Sequence, residues 1–271
     1  MENKYELICM DLDGTLLDEE KRVSESAKKA LCEAKNRGIQ IALLSGRMPH
    51  AVQMVERQLG FSCIVGSTAG TYITMDGRCI GNHTMDLHNI LLIFEKIARK
   101  YNVPLWIYQG TKWYVTKIDY YVQRESNIIH LDPEVIDPYD LTKRMEQENV
   151  APNKLLFGAG EDVIDAIKID LQNADYPDLD FARSDTLYLE IMPKGANKGE
   201  ALHTICDVLG IRSEKTIAFG DQELDIEMLT EAGLGVVMGN APENIKKIAD
   251  AVTGSNNEDG VAIALEKYVL G

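Results

Sequence analysis

Cysteine is sparse in this sequence and shows no pairing pattern. The five residues, Cys9, Cys32, Cys63, Cys79 and Cys206, include no CxxC pair and fall in apolar segments. That excludes a disulfide framework and predicts reduced thiols acting as small core hydrophobes. Positive charge is also scarce: 28 Lys and Arg stand against 43 Asp and Glu, a formal net charge of -15. A nucleic-acid or anionic-membrane partner needs a basic footprint, which this composition lacks. A small anionic ligand remains open, provided that local cations or a metal oppose the surrounding field. No apolar run is long enough to cross a bilayer, and the opening "MENKYELI" has no signal-peptide pattern, so the expected location is cytoplasmic. There is no GxGxxG after a strand and no GxxxxGK[ST], and "GLGVVMG" (233–239) has the wrong spacing for either, which disfavours a nucleotide cofactor. Repeats and low-complexity tracts are missing too.

What is present is ordinary globular material, 45% hydrophobic and 26% charged, in a chain of 271 residues that can form one large domain or two smaller ones. "YELICM" (5–10) reads as a short buried strand. "SESAKKALCEAKNRG" (24–38) reads as a helix capped by Ser24, with Gly38 just past its end. "IQIALLS" (39–45) is strand, "PHAVQMVERQLG" (49–60) a helix with Pro49 in its first turn, and "CIVGS" (63–67) strand again. This alternation predicts parallel βαβ units. Asp76-Gly77 then marks a two-residue hairpin. From 84 to 190 the texture changes, because that stretch holds both tryptophans and eight of the eleven tyrosines but no cysteine. The aromatics there read as core of a mixed sheet. Strand–helix alternation resumes with a helix at 197–210, a strand at 215–221, a helix at 224–233, a strand at 234–239 and a helix at 241–249. The expected organisation is one α/β domain, 1–83 with 191–271, interrupted by an inserted domain over 84–190, with "MPKGA" (192–196) as a hinge.

The chemistry concentrates where "LICMDLDGT" leaves its apolar run. Side chains alternate along a strand, so Asp11 and Asp13 project to the same side beyond its carboxyl end, the crevice in which open α/β sheets bind ligands. Two carboxylates about 5–6 Å apart repel by about 3 kcal/mol at an effective dielectric near 20, so a cation between or beside them is expected. A hard divalent ion with oxygen ligands, most simply Mg²⁺, meets that need. Calcium-loop spacing does not match, since Gly14 is fourth and Thr15 fifth. Ser45 follows the second strand and precedes a helix, where a hydroxyl and free amides can meet a phosphate. Lys198 begins a helix, where its charge opposes the dipole and suits a bound anion or the carboxylates better. Asp221 and Asp225 lie four residues apart at another strand end. Singly, these read equally well as a helix cap, a surface lysine and ordinary surface acids.

Together, "DLDGT" (11–15), "SGR" (45–47), "NKGEAL" (197–202) and "GDQELD" (220–225) resemble, in order and spacing, the four motifs of the haloacid dehalogenase-like superfamily, in particular its Cof-type sugar phosphatases. The resemblance extends over essentially the full length. It implies a doubly wound, mostly parallel, Rossmann-like sheet with an α/β cap inserted after the third strand. It also implies a Mg²⁺-dependent phosphatase acting on small phosphorylated metabolites. By the same resemblance Asp11 is the nucleophile that becomes an aspartyl-phosphate, and Asp13 the general acid and base. Mg²⁺ is held by Asp11, the Asp13 backbone carbonyl and Asp221, with Asp225 in support. Ser45, Lys198 and the amides of Leu12 and Gly46 hold the phosphate oxygens, while the cap closes and reads the leaving group. Arg47 is left as support for its loop.

Two positions depart from the pattern: Leu224 and Ala69 stand where the branch usually has asparagine. Two other functions therefore stay open, a phosphoryl-ligand binding or regulatory module with weak turnover, and a sugar phosphomutase. A monomer or weak homodimer is expected.

Overall fold

Short apolar strands alternating with amphipathic helices build the first part of the chain: β1 (Leu7–Met10), α1 (Glu25–Asn36), β2 (Gln40–Leu44), α2 (Pro49–Leu59) and β3 (Ile64–Ser67), then β4 (Tyr72–Met75) and β5 (Arg78–Asn82). The next stretch holds α3 (His88–Ile93), α4 (Arg99–Tyr101), β6 (Trp106–Gln109), β7 (Lys112–Val115), α5 (Tyr120–Ile129), β8 (Glu134–Val135), α6 (Pro138–Glu148), β9 (Lys154–Gly158), α7 (Glu161–Asn173), β10 (Leu179–Asp185) and β11 (Tyr188–Pro193). The last holds α8 (Lys198–Leu209), β12 (Thr216–Gly220), α9 (Ile226–Glu231), β13 (Leu234–Val237), α10 (Glu243–Lys246), β14 (Ala251–Val252) and α11 (Gly260–Leu265). The computed structural model describes residues 3–174 and 176–271. It divides into two compact units, Met1–Gly81 with Asn197–Gly271, and Asn82–Ala196.

The first unit carries an eight-stranded sheet in the order β14-β13-β12-β1-β2-β3-β4-β5, parallel from β14 to β3. Crossover helices cover both faces, as parallel strands require. Ile8 and Met10 of β1 face α1, α2 and α11, while Leu7 and Cys9 face α8 and α9. Burying each such aliphatic side chain contributes roughly 1.5–3 kcal/mol. Ser24 caps α1 by accepting from the Ala27 amide, and Pro49 opens α2. Asp76 and Gly77, at φ of 50° and 74°, make the left-handed turn between β4 and β5.

The second unit is a six-stranded sheet, β10-β11-β9-β6-β7-β8, antiparallel except for β7–β8. Ile107, Tyr114, Leu155, Phe157, Leu189 and Ile191 pack there with α3, α6 and α7. The alternate residues Trp106, Tyr108 and Trp113 are also buried, and Lys154 and Glu190 form a buried ion pair at 3.2 Å. Tyr120 and Tyr139 are exposed on α5 and α6, whereas Trp106, Tyr108, Trp113 and Tyr114 are core, as expected.

Not all the cysteines are. Cys9, Cys63 and Cys206 are buried, but Cys32 lies on the solvent side of α1 and Cys79 on the edge strand β5, both exposed. Among the described residues no helix is long and apolar enough to cross a membrane.

Candidate active site

Strand register places the site. Met10 pairs with Phe219 on one side and Leu43 on the other, so β12, β1 and β2 end side by side, at Asp221, Asp11 and Ser45. The Asp11 amide still donates to the Phe219 carbonyl at 3.0 Å, and the Ser45 amide to that of Gly66 at 2.8 Å. Both side chains thus start from fixed backbone.

Asp11, Asp221 and Asp225 are buried, and their carboxylate oxygens lie within 4.8 Å of one another. Asp225 closes a single tight turn, Glu223–Asp225, and its Oδ2 accepts the amides of Asp221 and Gln222 at 3.0 Å each. The helix expected from 224 begins at Ile226 because this back-bonding tightens the first turn. Asn197 caps α8 by accepting from the Glu200 amide, which sets Lys198 at the helix start with its amine turned inward. Lys198 Nζ donates to Asp11 Oδ1 and Asp225 Oδ1, 2.5 Å each, with only 4% of the side chain exposed. Motifs 187 and 27 residues apart in sequence meet at that amine.

Electrostatics follow from the count. Fully ionised, three carboxylates against one ammonium would carry an excess of two negative charges in a buried place. Burial, opposed by Lys198 and reinforced by Asp225 and Asp221, pushes Asp11 up to about 8. Burial likewise raises Asp221. For Lys198 burial acts downward, but Asp11 and Asp225 outweigh it and hold the ammonium above its usual range. A buried, all-oxygen donor set with this charge excess fits a hard divalent cation such as Mg²⁺.

Asp221 is held by Thr15 Oγ1 at 2.9 Å, Gln222 Nε2 at 3.0 Å and Asn240 Nδ2 at 3.5 Å; Asn240 also donates to the Gly14 carbonyl at 2.9 Å. Gly14, at φ +81°, is needed twice over, for its left-handed backbone and because a Cβ there would run into the Asp221 carboxylate.

Asp13 takes different partners. Its carboxylate, 40% exposed, lies outside the acidic trio. Arg47 grips it with Nε on Oδ2 and Nη2 on Oδ1, 2.7 Å each, and Lys21 Nζ adds a third bond to Oδ1 at 2.7 Å. Burial would raise this carboxyl, but Arg47 and Lys21 together outweigh it and hold it below the ordinary value. The cations beside the two leading acids are therefore Lys198 for Asp11 and Arg47 with Lys21 for Asp13. Arg47 does more than support its loop, and Lys21 carried no signal beyond its charge. Asn240 lies outside the four motifs and was not singled out by sequence.

Ser45 is buried, and its Oγ accepts the Arg47 amide at 3.2 Å. Leu12 is buried and its carbonyl accepts from Leu17 at 2.9 Å, turning the chain after Asp11. Gly46 lies between Ser45 and Arg47, partly exposed. Leu224 is half-buried beside Asp225. Ala69 is buried at φ +60°, between Thr68 at +49° and Gly70 at +87°, and its amide donates to the Ser45 carbonyl at 2.9 Å.

Residues 8–265 match the sequence profile of the haloacid dehalogenase-like hydrolases. The chain belongs to that family. It is accordingly an enzyme of the hydrolase class. The chain is similar to the 5-amino-6-(5-phospho-D-ribitylamino)uracil phosphatase YitU of Bacillus subtilis, 30% identical over 274 residues and covering 99% of each chain. A second protein of that species carrying the same activity in its name, YcsE, is 28% identical over 268 residues, 97% of this chain and 96% of its own. Among solved structures, a haloacid dehalogenase-like hydrolase from Bacteroides thetaiotaomicron superposes with a TM-score of 0.85 at 28% identity, covering 97% of this chain and 99% of the other. The haloacid dehalogenase-like hydrolase carries the α/β fold with a Rossmann-like core that the motif order implied.

Proposed function

We propose that this hydrolase is a Mg²⁺-dependent phosphatase of small phosphorylated metabolites, sugar phosphates or similar monoesters, working through an aspartyl-phosphate on Asp11. The observation that carries the reading is the buried Lys198 amine joining Asp11 to Asp225 beside Asp221. The two Bacillus subtilis relatives, named for a phosphate ester of a ribityl chain, support the substrate class.

In the first half-reaction an Asp11 oxygen attacks phosphorus, the bond from phosphorus to the alcohol oxygen breaks, and Asp13 gives that oxygen a proton. In the second, water gives a proton to Asp13 and hydroxide to phosphorus, releasing phosphate and restoring Asp11. Ser45, Lys198 and the amides of Leu12 and Gly46 hold the phosphate oxygens as their charge grows. Asp11, the Asp13 carbonyl and Asp221 are the ligand set for Mg²⁺, with Asp225 in support. When bound, the ion neutralises the carboxylates so that an anionic nucleophile can meet an anionic ester. The inserted unit is the cap that selects the alcohol, and the enzyme is cytoplasmic.

The test is phosphate release from an aryl phosphate and a panel of sugar phosphates, with Mg²⁺ and with chelator. Release should require Mg²⁺ and drop on the order of a thousandfold in Asp11→Asn. Equal release by wild type and Asp11→Asn overturns the proposal and leaves a phosphoryl-binding module as the better reading. Phosphate retained on a hexose product points instead to a mutase.

A further inference from the structure

Lys21 occupies a conformation that a lysine rarely adopts. It sits at φ +60° at the tip of a hairpin, closed by a bridge between Leu17 and Val23 and by the Asp18 amide donating to the Arg22 carbonyl at 3.0 Å. The left-handed region favours glycine, and strain of this kind in a non-glycine residue persists only where the surroundings enforce it, commonly at functional sites. Here Gln58, from the last turn of α2, does so. Its Nε2 donates to the Lys21 carbonyl at 3.2 Å, and its Oε1 accepts the Val23 amide at 3.0 Å. Arg47 lies just before the start of the same helix. The two cations that bind Asp13 are thus both tied to α2, one before its first turn and one through its last.

An exposed ion pair has little value for stability, and Lys21 is 58% exposed. Its amine nevertheless shares Asp13 Oδ1 with the Arg47 fork, giving three bonds of 2.7 Å on one carboxylate. A planar guanidinium gripping both oxygens fixes the carboxylate plane, and a third donor from another segment removes the remaining rocking about it.

We infer that Lys21, acting with Arg47, is a positioning residue that holds the Asp13 carboxyl in register for proton transfer to and from the substrate. The inference rests on the phosphatase reading, in which Asp13 protonates the alcohol, and its consequence depends on the leaving group. An aryl phosphate such as p-nitrophenyl phosphate departs as a stable phenolate and needs little help. An alkyl phosphate such as glycerol 2-phosphate needs the proton. A misplaced Asp13 therefore penalises the alkyl ester selectively.

The experiment measures alcohol release in a single turnover, with enzyme in excess, so that only the first half-reaction is read. Lys21→Met should lower the ratio of alkyl to aryl rates about tenfold, and Lys21→Arg should return it to within about twofold of wild type. Lys21→Gly suits the backbone while deleting the amine, so it should lower the ratio as far as methionine does, without lowering the thermal midpoint. Equal losses on the two esters, an unchanged ratio, a raised ratio such as easier protonation of Asp13 without the Lys21 charge would give, or no recovery with arginine overturns the inference. A crystal structure of Lys21→Met reads position without turnover: Asp13 should occupy more than one rotamer, and a single unmoved rotamer counts against the role. Absence of Mg²⁺-dependent release by wild type strikes the phosphatase reading, whereas the rotamer outcome still judges Lys21.

Discussion

At the scale of single residues, Asp11 has the most to reveal, because its environment opposes the charge its chemistry uses. Burial holds its carboxyl up to about 8, whereas an unfolded aspartate ionises at about 3.9. Between those values the folded chain keeps a proton that the unfolded chain has lost. Stability of the cation-free protein therefore falls as pH rises through that window, and the loss is complete above about pH 8. Asp11→Asn removes the effect. In the presence of chelator, the thermal midpoint of Asp11→Asn relative to wild type should rise between pH 5 and pH 8, by roughly 2–4 °C for each kcal/mol recovered. An offset that does not vary with pH contradicts the assignment. Asp11, Lys198 and Asp221 could be named from sequence because each stands at a strand end or helix start within a short motif. Lys21 could not. Nothing in "DEEKRVS" distinguishes it from its charged neighbours until the hairpin folds the chain back onto Asp13.

Elements were legible where local chemistry decided them. Ser24, Pro49 and Asp76-Gly77 each act over a few residues, and the helix starts and the hairpin lie where those residues put them. The helix expected at 241–249 shrinks to α10, where Ile245 is buried but Ile248 is exposed, so that only the small Ala249 packs against the core beyond it. The turn after β3 was not legible either, because no residue pattern announced left-handed backbone at both Thr68 and Ala69. Their strain is maintained by the Thr68 amide on the Arg47 carbonyl, 2.8 Å, and the Ala69 amide on Ser45. Asparagine, usual at position 69 in this branch, tolerates that conformation better than alanine does. Left-handed backbone costs a non-glycine residue about 1–2 kcal/mol, part of which glycine returns to the freer unfolded chain. Ala69→Gly should therefore raise stability by about 0.5–1 kcal/mol, read as a higher urea midpoint at constant slope. A lower midpoint would show that the Ala69 methyl packs to greater benefit than its backbone costs.

Over the whole molecule, the order of four motifs in the sequence becomes adjacency only through sheet order, because β12, β1 and β2 are neighbours although some two hundred residues separate the first from the second. Alternation of strands and helices made that arrangement foreseeable. The partners of Asp13 depended on side-chain reach from outside the sheet, and alternation carries no information about that. The same convergence makes the fold a receptor for a cation. Three carboxylates drawn from two strand ends and a turn come together only when the first unit is folded, so a divalent ion that binds them favours the folded state. With Mg²⁺ at about a hundred times its dissociation constant the gain is about 2.7 kcal/mol, a rise of roughly 5 °C or more in the thermal midpoint. Because the ion must displace the proton held by Asp11, the rise should be larger at pH 8 than at pH 5. Asp221→Asn should abolish most of it, whereas Lys21→Met, outside the carboxylate trio, should keep it. A shift equal at both pH values, or one that survives Asp221→Asn, places the cation elsewhere on this acidic protein and removes the trio as its site.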